Sequence, residues 1–148
     1  MENKLLQVLL ADDDEDDRLF FKEAISEIKI KTLVTIVNDG IELMDYLHNS
    51  AVALPDIIFL DINMPRKNGI QCLDEIRSDK RLKNITIAIY STSGAERDIE
   101  ETFIKGANVY IRKPNDFAAL KKIVEETMRI NWQYHVAGLS KDAFMLSV

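Results

Sequence analysis

Three aspartates, a serine and a lysine in this chain each follow closely on a short apolar run, and together they could hold a divalent cation and a phosphoryl group. Val8-Leu9-Leu10-Ala11 leads into Asp12-Asp13, Ile57-Ile58-Phe59-Leu60 leads into Asp61-Ile62-Asn63-Met64-Pro65, and Val109-Tyr110-Ile111 leads into Lys113-Pro114. In an open parallel sheet, side chains at the carboxyl ends of the strands converge on one crevice, where ligands bind. Carboxylates crowded there are costly unless a cation neutralises them or a proton stays on. Asp61, which ends a continuous apolar run, is the candidate nucleophile, since carboxylates form aspartyl phosphates. Asp12 and Asp13 add oxygen ligands, and the Asn63 backbone carbonyl could turn back toward the same point. Mg²⁺ suits such a site because it takes oxygen ligands and is commonly held by one or two carboxylates plus phosphate. Lys113 can pair with phosphate as a compact charge, and Ser91 offers a hydroxyl. Phosphoryl transfer needs little more, because positioning and charge neutralisation supply most of the catalysis.

The elements that must position these groups follow from the patterning. Apolar runs at Leu5–Ala11, Thr32–Val37, Asp56–Leu60, Ile85–Tyr90 and Val109–Ile111 alternate with amphipathic stretches, the pattern of βα units on a parallel sheet. Phe20, Phe21, Ala24, Ile25 and Ile28 form a stripe at helical spacing, as do Phe117, Leu120, Ile123, Val124, Thr127 and Met128; both belong to the core. Asn38-Asp39-Gly40, Asn68-Gly69 and Ser93-Gly94 are turn or N-cap signals. The fourth helical stretch, about Ala95–Lys105, is the most polar and is the candidate mobile element. Asp14, Glu15, Asp16 and Asp17 read as acids complementing a helix N-terminus.

With 148 residues the chain suits one domain with a sizeable core. A net charge of −6 and no basic cluster with interleaved aromatics argue against direct nucleic-acid binding. No apolar stretch of about 18 residues marks a membrane span, and the N-terminus lacks a signal peptide's apolar core. One cysteine and no secretion signal make a cytoplasmic, disulfide-free protein the expectation. Cys72 reads as a small core residue, and His48 and His135 as surface or half-buried side chains.

Taken together, Asp12-Asp13, Asp61-x-Asn63-Met64-Pro65-x₃-Gly69, Ser91-Thr92 and Tyr110-x₂-Lys113-Pro114 resemble the receiver domain of bacterial response regulators, over roughly residues 4–130. The separations, 30 residues from Asp61 to Ser91 and 22 from Ser91 to Lys113, are similar to those of the single-domain chemotaxis regulators. The resemblance implies a doubly wound, flavodoxin-like α/β fold, with a five-stranded parallel sheet in the order 2-1-3-4-5 and helices on both faces. It also implies that Asp61 accepts a phosphoryl group, that Asp12, Asp13, Asp61 and the Asn63 carbonyl bind Mg²⁺, and that Lys113 and Ser91 contact the phosphate. Ser91 and Tyr110 would form the conformational switch, and Lys113–Pro114 would be a cis peptide. Ser91 stands where threonine is commoner. Thr92 stands where a smaller residue is often found, so it would narrow access to the phosphoryl site. A narrower resemblance, carried by the region from Arg77 to Ser93 and by Trp132, is to stand-alone regulators that partner bacteriophytochrome-type kinases.

On this reading residues 1–130 form the receiver and 131–148 a C-terminal extension without a separate output domain. The expected partners are a sensor histidine kinase or histidine-phosphotransfer domain and a downstream protein target, with no membrane or nucleic acid. The protein would not be an enzyme, catalysing only its own phosphorylation and dephosphorylation. Two alternatives stay open: a phosphorylation-independent scaffold, and an aspartate-nucleophile phosphohydrolase of the haloacid-dehalogenase kind, which typically needs an aspartate where Asn63 stands. The apolar tail (Trp132, Tyr134, Val136, Leu139, Phe144, Met145, Leu146) would pack on its own domain or form a homodimer or partner contact.

Overall fold

The computed structural model describes residues 5–130 and the backbone of Met145–Leu146. Five strands, β1 (Leu6–Ala11), β2 (Thr32–Val37), β3 (Ile57–Leu60), β4 (Thr86–Ser91) and β5 (Val109–Arg112), alternate with five helices. These are α1 (Glu15–Ser26), α2 (Gly40–His48), α3 (Gly69–Ser78), α4 (Glu96–Ile104) and α5 (Phe117–Ile130). All strand pairs are parallel, in the order β2-β1-β3-β4-β5, so every carboxyl end lies at one edge of the sheet.

The two-residue alternation along the strands divides the core into two layers. Leu9, Ala11, Ile58, Leu60, Ile87, Ile89 and Tyr110 face α2, α3 and α4, packing with Leu43, Leu73, Ile76 and Ile99. Val8, Leu10, Ile57, Phe59, Ala88, Tyr90 and Ile111 face α1 and α5, packing with Phe21, Ile25, Leu120 and Val124. Burial on both faces explains why β3 is apolar throughout. Cys72 lies in the first layer, fully buried, and burial pushes its thiol up to about 12, so it is an inert packing residue. His48 is a surface side chain 3.4 Å from Glu75.

Helix starts follow local chemistry. Asp14, Asp39 and Asn68 each accept a backbone N–H three residues on, capping α1, α2 and α3. At α3 the Gln71 side chain reciprocates, completing a capping box. By contrast α4 has no side-chain cap at Ala95 and buries only Ile99 and Thr102.

The five expected strands stand in the expected order, with one addition and one correction. Met145–Leu146 forms a sixth strand, β6, parallel to β5, with Tyr110 opposite Met145 and Ile111 opposite Leu146. Without it β5 would present an unpaired row of N–H and C=O groups, which attracts another strand. The rest of the tail, including Trp132, Tyr134, Val136, Leu139 and Phe144, lies outside the described residues, as does His135. Lys113–Pro114 is trans, as is every peptide bond among the described residues. Trans is the lower-energy isomer of an X–Pro amide by about 0.5–1 kcal/mol, and a sequence motif does not by itself supply contacts that reverse that preference.

Candidate functional site

Strand register brings the acids together. Ala11 pairs with Leu60, so Asp12 and Asp61, the next residues on each strand, emerge side by side. The Asp61 N–H donates to the Ala11 carbonyl at 3.0 Å and the Asp12 N–H to the Val37 carbonyl at 3.2 Å, extending the ladder to the sheet's edge. Asp12 is fully buried, Asp61 is 5% exposed and Asp13 is exposed. One carboxylate oxygen from each of Asp12, Asp13 and Asp61 lies within 4.8 Å of the others.

Lys113 must cross the end of β4 to reach β3. Tyr90 carries it over: the ammonium sits 5.2 Å from the centre of the buried Tyr90 ring, a cation–π distance. The ammonium then ends among three carboxylates, 2.8 Å from Asp17 Oδ2, 2.9 Å from Asp12 Oδ2 and 3.3 Å from Asp61 Oδ2. Burial pulls its pKa down, but hydrogen bonds to Asp17 and Asp12 and the Asp61 charge outweigh that and raise it. Lys113 is therefore a permanent cation.

The pKa values of the carboxylates also rise, which for them disfavours the charged form. Burial dominates at Asp61 and, with the Asp12 charge, overcomes Lys113 to push the carboxyl up to about 6. Asp12 is also raised, chiefly by burial. Its Oδ1 accepts the Asp14 N–H at 3.0 Å. Its Oδ2, also buried, lies 2.9 Å from the Lys113 ammonium. Three carboxylates crowded against a single ammonium leave the site short of positive charge.

The remaining sequence candidates lie around this centre. Asn63 is on the β3–α3 loop, its N–H reaching back to Asp61 Oδ1 at 3.4 Å. That loop turns through Arg66, which has a positive φ of 67° and is held by Asp39 at 2.7 Å. Gly69 closes it, because a Cβ there would stand 2.2 Å from the Asp61 carbonyl oxygen. Ser91 is fully buried at the end of β4. Its hydroxyl accepts the Ser93 N–H at 3.1 Å, and its carbonyl accepts the Lys113 N–H at 2.7 Å. Thr92 is exposed at the rim. Tyr110 is fully buried, donating its hydroxyl to the Ser93 carbonyl at 2.7 Å, so its ring occupies the inward position on the α4 side of the sheet.

Two participants were not legible beforehand. Asp17 reads in sequence as one more helix-start acid, yet it makes the shortest contact to Lys113. Tyr90 reads as an ordinary strand aromatic.

Residues 8–125 match the family described as the response regulator receiver domain. The response regulator Rcp1 of Synechocystis sp. is 29% identical over 122 residues, covering 80% of this chain and 83% of that protein. Among solved structures, the phosphorylated cyanobacterial phytochrome response regulator RcpA is 32% identical with a TM-score of 0.79, covering 93% of this chain and 100% of its own. The Mn(2+)-bound form of response regulator Rcp1 is 26% identical with a TM-score of 0.76, covering 91% and 99%.

Proposed function

Since the chain belongs to the response regulator receiver family of two-component systems, we propose that Asp61 is its phosphoacceptor and that phosphorylation switches what the protein binds. The observation that carries this is the buried Asp61 carboxylate held 3.3 Å from a permanent Lys113 ammonium, with Asp12 and Asp13 alongside. Receiver domains act between histidine kinases and downstream targets. The likeness to phytochrome response regulators favours a kinase of that class as the donor.

The site suits a divalent ion, as the close set of carboxylate oxygens from Asp12, Asp13 and Asp61, faced by only one ammonium, indicates. Asp12, Asp13, Asp61 and the Asn63 carbonyl would hold it, and hard oxygen ligands of this kind favour Mg²⁺. Bound there, it neutralises charge on the transferred group.

The chain's own residues do the rest. Asp61 attacks as the carboxylate, so lowering its pKa from about 6 arms it. One Asp61 oxygen forms a bond to phosphorus as the bond from phosphorus to the donor's imidazole nitrogen breaks, and that nitrogen keeps the electron pair. Lys113 compensates the incoming negative charge. Ser91, freed from the Ser93 N–H, would donate its hydroxyl to a phosphoryl oxygen. Because the Ser91–Ser93 turn also accepts the Tyr110 hydroxyl, a shift there alters the surface of α4 and β5. The phosphoryl group biases this equilibrium only by interacting better with one state than the other. The protein modifies itself and turns over no separate substrate.

The test is incubation with Mg²⁺ and a radiolabelled small phosphodonor such as acetyl phosphate. The expected result is one acid-stable, base-labile label per chain that Asp61→Asn abolishes; label persisting in that variant would refute the assignment. Passing label on to a partner histidine would identify a relay shuttle rather than a binding switch.

A further inference from the structure

We propose that Asp17 is a positioning residue for this reaction, holding the Lys113 ammonium so that the phosphoryl group must compete with it for that cation. The inference rests on the phosphoacceptor reading of Asp61 and adds a residue to it. Three carboxylates, Asp12, Asp17 and Asp61, contact one ammonium, and Asp13 lies beside two of them. The ammonium is nearest Asp17, at 2.8 Å, and stands 3.3 Å from Asp61. An ammonium has three donors, and three carboxylates lie within 3.3 Å of this one.

The three groups are not equivalent. Asp12 and Asp61 are buried beneath the ammonium, whereas the Asp17 side chain is 33% exposed. Asp17 also lies in the first turn of α1, where the helix dipole favours a carboxylate. It is thus the partner that solvent can most readily take over when the ammonium moves. A phosphoryl group on Asp61 brings further negative charge against this cluster. Lys113 then either leaves Asp17 or holds a carboxylate and a phosphoryl group at once. Both outcomes subtract from the stability of the phosphorylated state, so Asp17 acts as a brake on phosphoryl binding.

Beryllofluoride, which mounts a phosphoryl-like group on a carboxylate, is the probe, with binding followed by fluorine NMR. Mg²⁺ is held saturating for each variant, so that any change in metal affinity drops out. Asp17→Asn should bind beryllofluoride about threefold to fivefold more tightly than wild type, the size of a partly screened ion pair. Asp17→Glu, which keeps the charge, should stay near wild type. Asp16→Asn removes an equivalent charge from the same helix turn at an exposed position and should change nothing. Affinity in Asp17→Asn that equals or falls below that of Asp16→Asn overturns the proposal. So does a lowered melting temperature in chelator without any change in beryllofluoride affinity, which is what a purely helix-capping role gives. Failure of the wild type to bind beryllofluoride at all would instead remove the phosphoacceptor reading itself.

Discussion

Replacing Asp61 by asparagine should make the metal-free protein more stable at neutral pH, although it removes the central functional group. Asp61 is 5% exposed, and its carboxyl lies at about 6 rather than 3.8 because burial and the neighbouring Asp12 outweigh Lys113. A carboxyl that holds its proton more tightly in the folded chain destabilises the fold once it must ionise. Between pH 3.8 and about 6 the unfolded chain has released a proton that the folded chain still keeps. Stability therefore falls as pH rises through that window and levels off above it. At about 1.36 kcal/mol per pH unit, the whole effect is at most about 3 kcal/mol. Titration shared with Asp12 and relaxation of the ammonium toward Asp17 reduce it, and about 1.5 kcal/mol is a reasonable expectation, or roughly 3–6 °C in melting temperature for a chain of this size. The assay is thermal unfolding by circular dichroism in excess chelator, from about pH 4 to about pH 7.5. The gain should be full at the upper end, shrink through about pH 6, and vanish near pH 4. Added Mg²⁺ should raise the melting temperature of the wild type more than that of Asp61→Asn. An Asp61→Asn variant that melts at or below wild type at the upper pH in chelator would refute the claim that crowded, desolvated charge dominates this site.

Two further positions test the scaffold, one beside the site and one at the opposite edge of the sheet. Gly69→Ala would place a Cβ 2.2 Å from the Asp61 carbonyl and 2.9 Å from Ile62 Cα, so backbone must shift; about 2–4 kcal/mol of destabilisation and weakened divalent-metal binding are expected, read by denaturant unfolding and metal titration. Arg77 donates to the Gly106, Lys83 and Ile85 carbonyls and to Asn108 Oδ1, pinning α3 to the loops before β4 and β5, so Arg77→Ala should lose about 2–4 kcal/mol in urea unfolding. Arg77→Lys should not recover it, because an ammonium cannot reproduce the planar fork.

The chain's own residues disclose the chemistry because strand ends are local features. An apolar run of three to six residues shortly before Asp12, Asp61, Ser91 or Lys113 states both where a strand stops and which group it delivers. Parallel strands then carry those groups to one edge. The two faces of the core are legible for the same reason, since alternation along a strand assigns each side chain to a layer. What lies across the site is not local. Asp17 and Lys113 are 96 residues apart, and nothing in the acidic run after β1 distinguishes Asp17 from Asp14 or Asp16. Only the docking of α1 on the sheet turns one of those acids toward the ammonium. Only the β4–β5 register sets Tyr90 beneath the Lys113 stem, and only a free β5 edge makes a strand of Met145–Leu146. Sequence periodicity determines direction and burial, whereas distances between side chains from different elements arise when those elements pack.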